Sequence, residues 1–306
     1  MRVLVTGGAG FIGSHAVDRL ITARHEVIVM DDLSTGQLAQ VPPAIEFVSH
    51  DIADASTAQI IARLQPEVVV HAAAQVSVAA SVDDPVRDAS VNVLGTVRVL
   101  EGAALAGALQ VVYVTTGGAL YGEPRYLPCD EAHPIAPISP YGASKAAGEV
   151  YLPLIAPLAR HTVLRLANVY GPRQTAAGEA GVVATFATRM LAGDVVVIHG
   201  DGSQTRDFVE VGDVADAIAE AVDRQVAGTM NIGTGDATSI SDLYERMAFA
   251  TGYRGTPRTA PARRGDVRDS VLDVRRAREL LGWRAATTLE AGVERTVGWY
   301  RERSVG

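Results

Sequence analysis

A glycine-rich turn near the start of the chain limits the possible folds more than any other feature. The apolar run Arg2–Thr6 predicts a buried strand, and residues 14–23 have helical spacing. Between them, Gly7 permits a tight turn, Gly10 lets the backbone approach a pyrophosphate, and Gly13 lets the helix pack closely on the strand. The helix N-terminus offers unpaired N–H groups to phosphate oxygens. This order predicts a dinucleotide-binding unit rather than a plain turn.

Two carboxylates follow the second predicted strand. Asp31 stands about twenty residues beyond the glycines, where dinucleotide-binding units place an acid, and Asp32 comes next. An acid at this point hydrogen-bonds the adenosine ribose and repels a 2′-phosphate. No arginine immediately follows the pair, so the sequence favours NAD over NADP.

Strands and helices alternate through the first part of the chain. Further strand-like runs occupy residues 26–30, 45–49, 67–71, 110–115 and 161–166. The alternation predicts an α/β fold with a Rossmann doubly wound parallel sheet. We expect residues 1–170, with a returning segment at about 205–230, to form the NAD-binding domain. Residues 171–204 and 231–306 should form a smaller, interleaved C-terminal substrate lobe.

A tyrosine and a lysine stand four residues apart within a predicted helix. Tyr141 and Lys145 therefore share one helix face. A nearby ammonium stabilises a phenolate and lowers the pKa of the tyrosine, which suits it to take a proton from a substrate hydroxyl. The chain has 27 Lys+Arg residues, and Lys145 is the only lysine among them. Arginine differs from lysine in pKa and shape, so this placement favours a catalytic pair over a surface pair.

The bulk composition excludes several classes of protein. A net charge of -8 argues against a nucleic-acid partner, and a single cysteine excludes a disulfide framework and a cysteine-rich metal site. The sequence contains no stretch of about 18 uninterrupted apolar residues, so we expect no membrane span. The N-terminus runs directly into a strand, without a signal-peptide pattern. We expect a cytoplasmic enzyme with no bound metal.

The motifs together resemble the extended short-chain dehydrogenase/reductases, and most closely the nucleotide-sugar (UDP-hexose) 4-epimerase family. They occur in order along nearly the whole chain, as VTGGAGFIGSH, VVVHAAAQVSV, SPYGASK, LANVYGPR, GDGSQTRDFVEVGDVA, NIGTG and RRGDVRDSVLD. The resemblance implies an isomerase with tightly bound NAD. It would invert C4 of a UDP-sugar of the UDP-glucose/UDP-galactose type through a transient 4-keto intermediate.

The resemblance also implies a set of site residues. Those expected at the cofactor are Gly7, Gly10, Phe11, Ile12, Gly13, Asp31, Asp32, Asp51, Ile52, His71, Ala72, Ala73, Asn92, Thr115, Tyr141 and Lys145. Those expected at the substrate are Thr116, Gly117, Asn168, Arg206, Arg263, Asp266 and Ser270. Arg206 and Arg263 should hold the diphosphate by charge-assisted hydrogen bonds, and Asp266 should accept from the uridine ribose.

One segment departs from the family pattern. Gly117 occupies the position of a family Ser or Thr whose hydroxyl bridges the tyrosine and the sugar O4, and Thr116 is the nearest replacement. Dehydratases and decarboxylases of the family carry acids in this segment, whereas this chain has Gly117 and Gly118. The difference favours epimerisation over a UDP-sugar dehydratase or decarboxylase. The missing hydroxyl leaves a catalytically silent dinucleotide sensor as another alternative.

The sugar substituents stay open at the sequence level. The small side chain of Ser270 leaves room for an N-acetyl group at C2. The two vacated side chains at Gly117 and Gly118 leave room for a C6 carboxylate, so a UDP-glucuronate 4-epimerase is a further alternative. The resemblance also implies a homodimer formed through two helices, predicted at residues 90–105 and 140–155.

Overall fold

The computed structural model describes residues 1–157, 159–175, 181–262 and 267–304. The strands in chain order are β1 (Arg2–Thr6), β2 (Glu26–Asp31), β3 (Glu46–Ser49), β4 (Val68–His71), β5 (Gln110–Thr116), β6 (Arg160–Leu166), β7 (Asn168–Tyr170), β8 (Val197–His199), β9 (Thr205–Arg206), β10 (Phe208–Glu210), β11 (Gly228–Ile232), β12 (Thr238–Ser239), β13 (Arg258–Ala260) and β14 (Asp269–Ser270). The helices are α1 (Phe11–Thr22), α2 (Thr57–Leu64), α3 (Val78–Asp83), α4 (Pro85–Ala89), α5 (Thr96–Ala106), α6 (Gly118–Tyr121), α7 (Pro140–Ile155), α8 (Val182–Ala192), α9 (Val211–Arg224), α10 (Ile240–Thr251), α11 (Arg275–Leu281) and α12 (Leu289–Ser304).

A seven-stranded sheet forms the centre of the molecule. Its strand order is β11-β6-β5-β4-β1-β2-β3, and every neighbouring pair is parallel. The predicted α/β Rossmann fold is therefore confirmed. The chain moves outward in opposite directions from β1 and β4, so a crevice opens at the carboxyl ends of these two strands.

Side chains of the sheet alternate between two packed faces. In β1, Val3 and Val5 join one buried cluster, whereas Leu4 joins the other. Helices α1 and α9 contact each other on one face, and α2, α5 and α7 cover the other. Both faces are buried, which explains why the strands read as continuous apolar runs.

The second lobe has an apolar core of its own. Helices α8, α10 and α12 pack together around a cluster that includes Phe186, Leu243 and Val297. The boundaries of this lobe differ from those expected. Strand β11 extends the central sheet as far as Ile232, and Trp283 packs into the core beside α1 and α9. Part of the segment assigned to the substrate lobe thus belongs with the central sheet.

Helices α4 and α5 form one continuous helical run. A π-helical turn, Ser90–Gly95, joins them, and the whole run covers Pro85–Ala106. Among the described residues it is the one helix long and apolar enough to cross a membrane by length and composition alone, a test that core helices of soluble proteins also pass. Here the run packs against α2 and α7.

Candidate active site

The glycine turn places the N-terminus of α1 at the crevice. Gly7 has a φ of +73°, and a Cβ on it would lie 2.6 Å from the Ala73 nitrogen. A Cβ on Gly13 would lie 2.0 Å from the Gly7 carbonyl oxygen. Gly10 precedes the helix without a side-chain cap, so the first N–H groups of α1 stay available to an anion. Phe11 and Ile12 form the first turn of this helix and are half-buried.

Asp31 lies beside the same turn. One of its carboxylate oxygens accepts from the Ala9 nitrogen at 3.0 Å, and the other from the Leu33 nitrogen at 2.8 Å. Burial raises the pKa of this carboxyl, and the two backbone donors oppose the rise. An ionised carboxylate has further lone pairs, so Asp31 can also accept from ribose hydroxyls. Asp32 points at its own turn, where it accepts from the nitrogen and hydroxyl of Ser34.

Two residues expected at the cofactor follow β3. Asp51 is exposed and accepts from the Ala53 nitrogen at 2.8 Å. Ile52 is buried, and its side chain fills the space beside Gly95 in the π-helical turn. The structure thus brings both to the crevice side of the sheet, with only Asp51 open to solvent.

The side chain of His71 does not line an open cleft. It is fully buried, with Nδ1 at 2.7 Å from the Thr6 hydroxyl and Nε2 at 3.0 Å from the Thr96 hydroxyl. Burial, with a smaller contribution from Lys145, lowers its pKa to about 3. The imidazole is therefore a neutral group of the core. At the end of β4, only the backbone, Ala72 and Ala73 remain available to a cofactor.

Helix α7 carries the tyrosine–lysine pair. Its N-cap residue Ser139 accepts from the Gly142 nitrogen at 3.2 Å, which fixes the first turn. Lys145 is 2% exposed, and its Nζ lies 4.4 Å from the centroid of the Tyr113 ring. Burial lowers the pKa of Lys145 to about 7, against a smaller opposing effect of nearby carboxylates.

Tyr141 shows the opposite of the expected shift. Burial, followed by the charge of Asp88, raises the pKa of its phenol well above the usual value. The predicted lowering by Lys145 is therefore not found in the protein alone. Burial opposes a phenolate, so Tyr141 keeps its proton until more positive charge is present.

The end of β5 contains an unpartnered hydroxyl. Thr115 is 4% exposed, and its Oγ1 has no hydrogen-bond partner among the described residues. Thr116 Oγ1 accepts weakly from the Ala119 nitrogen at 3.4 Å. A buried hydroxyl without a partner is costly, which points to a ligand contact at Thr115.

The space expected at the glycine pair is largely filled. A Cβ on Gly117 would lie 2.8 Å from both methyl groups of Leu272. A Cβ on Gly118 would lie 2.9 Å from the hydroxyl of Ser270. The Leu272 methyl groups thus occupy the side-chain position at Gly117, and the expectation that the vacated positions admit a sugar carboxylate stays a prediction.

Strand pairing in the second lobe brings two expected substrate residues together. Arg206 on β9 and Ser270 on β14 are direct partners in the parallel pair. The Arg206 guanidinium donates to the carbonyls of Thr205 and Arg268 at 2.8 and 3.0 Å. Asn168 is the first residue of β7. Its backbone nitrogen donates to the carbonyl of Asp207, the residue that follows Arg206. Arg263 and Asp266 lie outside the described residues.

Several residues of this region were not found from the sequence. Asp207 is buried and its carboxylate accepts from Thr234, Gly235 and Leu272, which ties three segments of the lobe together. Asp88 is buried next to the α7 pair and was also missed. Its spacing of four residues from Asn92 on one helical run was the available signal.

No group of three potential metal-ligating side chains occurs within the described ranges.

Comparison with known proteins gives one consistent family. The model of the NAD dependent epimerase/dehydratase family matches residues 3–233. The chain belongs to this family. It is 48% identical to the UDP-glucose 4-epimerase of Mycolicibacterium smegmatis, over 99% of this chain and 100% of that protein.

Solved structures of family members have the same fold. A UDP-glucose 4-epimerase from Thermotoga maritima, crystallised with UDP-glucose, matches with a TM-score of 0.94 and 44% identity, covering 99% of this chain and 100% of that one. A Thermus thermophilus UDP-glucose 4-epimerase in complex with NAD matches with a TM-score of 0.93 and 42% identity, covering 98% and 99%.

Proposed function

We propose that this chain is a UDP-glucose 4-epimerase that uses NAD. Its similarity to UDP-glucose 4-epimerases extends over the full chain. The observation that carries the proposal is the Tyr141–Lys145 pair on α7, together with Gly117 and Gly118 after β5, which replace the acids of dehydratases and decarboxylases. An enzyme with this pair and no such acid is suited to reversible oxidation at C4 without elimination.

The described residues fit the cofactor. The glycine turn leaves backbone room where a Cβ would clash, α1 presents uncapped N–H groups, and Thr115 holds a buried hydroxyl without a partner. Bound NAD supplies a reversible oxidant for C4 of the sugar. We assign its contacts to the glycine turn, Asp31, Asp51 and the Thr115–Lys145 side of the crevice. The side chains of His71 and Asn92 support these contacts from inside the fold.

The side chains of the pair divide the proton chemistry. Tyr141 accepts the proton of the sugar 4-hydroxyl and later returns it, so its oxygen must face the substrate. Lys145, in its ammonium form, donates to the nicotinamide ribose and adds positive charge close to the phenol. Because burial opposes the Tyr141 phenolate, proton transfer depends on that charge. We assign the hydroxyl role missing at Gly117 to Thr116.

The substrate groups come from the second lobe. Arg206 holds the diphosphate, and Arg263 and Asp266 are assigned to the diphosphate and the uridine ribose by the family pattern. Ser270 is small and buried, and we assign it to the sugar side of the site by the family pattern, where it would leave room for an N-acetyl group at C2. Leu272 fills the volume beside Gly117, so a glucuronate carboxylate has less room than the sequence suggested. A neutral C6 hydroxymethyl group fits the site better.

We further propose a cytoplasmic homodimer. Apolar side chains are exposed along the outer faces of α5 and α7, among them Leu105, Val150 and Leu154 at 65%, 63% and 69%. These two helices contact each other, so their exposed side chains can form one surface. A contiguous apolar surface of this kind is typical of a subunit interface.

The function is tested with the purified protein and no added NAD. UDP-glucose, UDP-N-acetylglucosamine and UDP-glucuronate are incubated separately, and the 4-epimers are resolved by chromatography. We expect UDP-galactose from UDP-glucose, and little conversion of UDP-glucuronate. If UDP-glucuronate alone is converted, UDP-glucuronate replaces UDP-glucose as the proposed substrate. If no sugar is converted even with added NAD, the catalytically silent dinucleotide sensor becomes the better interpretation.

A further inference from the structure

A buried acid lies behind the tyrosine–lysine pair. Asp88 on α4 is 1% exposed. One of its carboxylate oxygens accepts from Gln75 Nε2 at 2.8 Å and from Asn92 Nδ2 at 3.0 Å. Buried carboxylates are costly unless they are well hydrogen-bonded, so this group needs both donors. Neither the glycine turn nor the substrate lobe accounts for its position.

The donors connect Asp88 to the first turn of α7. Asn92 Nδ2 also donates to the Ser144 hydroxyl at 3.1 Å, and that hydroxyl donates to the Tyr141 carbonyl at 3.0 Å. The other end of the Tyr141 peptide is held as well, because its nitrogen donates to the Ser81 hydroxyl at 3.1 Å. The Tyr141 nitrogen is thus bonded to a side chain of α3, and the Tyr141 carbonyl to the Ser144 hydroxyl of its own helix, which Asn92 holds.

Asn92 also fixes the loop that follows β4. Its Oδ1 accepts from the Gln75 nitrogen at 2.9 Å, and its Nδ2 donates to the Gln75 carbonyl at 2.9 Å. The π-helical turn Ser90–Gly95 carries Asn92 into this position. Single π-helical turns inside α-helices occur frequently at functional sites, where they redirect a side chain.

The charge of Asp88 acts on both members of the pair. It raises the pKa of Tyr141 and, with Glu149, opposes the lowering of the Lys145 pKa by burial. The remaining titratable neighbours are Tyr113 on β5, whose phenol interacts with Tyr141, and His71 on β4, whose pKa Lys145 helps to lower. Glu149 is committed to a buried ion pair with Arg165. Asp88 is therefore the acid that acts on the Tyr141 phenol without an arginine partner of its own among the described residues.

We propose that Asp88 is a positioning residue of the epimerase reaction, which holds Tyr141 through Asn92 and Ser144 and places a buried carboxylate beside the Tyr141–Lys145 pair. The inference rests on the proposed function, in which Tyr141 takes its proton from the sugar 4-hydroxyl and later returns it. Removal of the charge with retention of the hydrogen bonds should make the phenolate easier to form. An asparagine keeps an acceptor for Gln75 and Asn92, so Asp88→Asn tests the charge alone.

The experiment measures tyrosinate formation in the NAD-loaded protein by ultraviolet difference titration, with Tyr141→Phe subtracted to isolate Tyr141. We expect Asp88→Asn to lower the Tyr141 pKa by about half to one unit. The acidic limb of kcat/KM should move by the same amount, with KM for UDP-glucose changed less than twofold. Asp83→Asn, which removes an exposed carboxylate near the same helix, should move neither.

The outcomes separate the two proposals. An unchanged Tyr141 titration in Asp88→Asn overturns the role of Asp88, whatever the activity. A shifted titration in a protein that epimerises no sugar supports Asp88 and rejects the proposed function. If Asp88→Asn does not fold, Asp88→Ser removes the same charge and is held to the same criterion.

Discussion

At the scale of single residues, burial destabilises the charged form of Lys145. Its pKa is lowered from 10.5 to about 7 in the folded protein. Between these values the unfolded chain binds more protons than the folded one, so this residue makes stability rise with pH in that window. Below about pH 7 the full penalty is present, and above about 10.5 it disappears.

The first prediction follows from this penalty. Lys145→Met should stabilise the cofactor-free protein against urea, with a larger gain at pH 6.5 than at pH 9.5, while epimerase turnover falls at least about a hundredfold. Other titratable groups are common to both proteins and cancel in the comparison. An equal stability difference at the two pH values would show that the amine is not desolvated as described.

The second prediction concerns the hydroxyl beside the pair. Thr116→Val removes the Oγ1 while keeping the shape, and should lower kcat about tenfold to a hundredfold with NAD retained. Thr116→Ser keeps the hydroxyl and is the matched control. Gly117→Ser, which restores the family hydroxyl, should not rescue Thr116→Val, because Leu272 fills that space. Full activity of Thr116→Val would remove Thr116 from the mechanism.

At the scale of elements, the second lobe depends on one carboxylate. Asp207 accepts from the nitrogen and hydroxyl of Thr234, from the Gly235 nitrogen and from the Leu272 nitrogen. All of these partners are donors, so an amide in place of the carboxylate would bring its NH2 group against another N–H or O–H. The short strands β9, β12 and β14 are held beside this point.

The third prediction is that Asp207→Asn lowers the free energy of unfolding by about 2–4 kcal/mol. Asp201→Asn is the control, since Asp201 is an exposed residue that accepts from its own turn at Ser203, and this substitution should change the free energy of unfolding much less. Urea denaturation monitored by tryptophan fluorescence measures both. A loss for Asp207→Asn no greater than that for Asp201→Asn would contradict the central role of this carboxylate.

Sequence patterns predicted the sheet well because its evidence is local. Strand β1 and the glycine turn have apolar runs and backbone requirements that short segments express by themselves. The tyrosine–lysine spacing was likewise readable, since it belongs to one helix. The shift of the Tyr141 pKa was not, because it comes from burial and from Asp88, which lies more than fifty residues earlier in the chain.

The side chain that packs beside Gly117 could likewise not be predicted from the sequence. Leu272 reaches Gly117 only because β14 and the segment after it return to the end of β5. Spacing within a motif gives no information about a side chain that arrives from 155 positions away. The same holds for His71, whose partners Thr6 and Thr96 come from two other elements.

At the scale of the whole molecule, the cofactor helix is tied to the entrance of the second lobe. His15 Nε2 lies 3.0 Å from the Pro172 carbonyl, and Arg173 pairs with Asp18 at 2.7 Å. Both contacts join α1 to the loop that follows β7. The helix that begins at the glycine turn is thereby held to a segment outside the central sheet.

The fourth prediction concerns the assembly of two such molecules. A homodimer through α5 and α7 would cover Leu154 and Val150, which are 69% and 63% exposed in the single chain. A stable interface buries about 800 Å² on each partner, and a charge placed at its centre is costly. Leu154→Asp should therefore give a monomer by sedimentation velocity at micromolar concentration. Phe249→Asp is the control, because Phe249 is 87% exposed on α10, outside these helices, and should leave the dimer intact. A dimer that survives Leu154→Asp but dissociates with Phe249→Asp would move the interface to the second lobe.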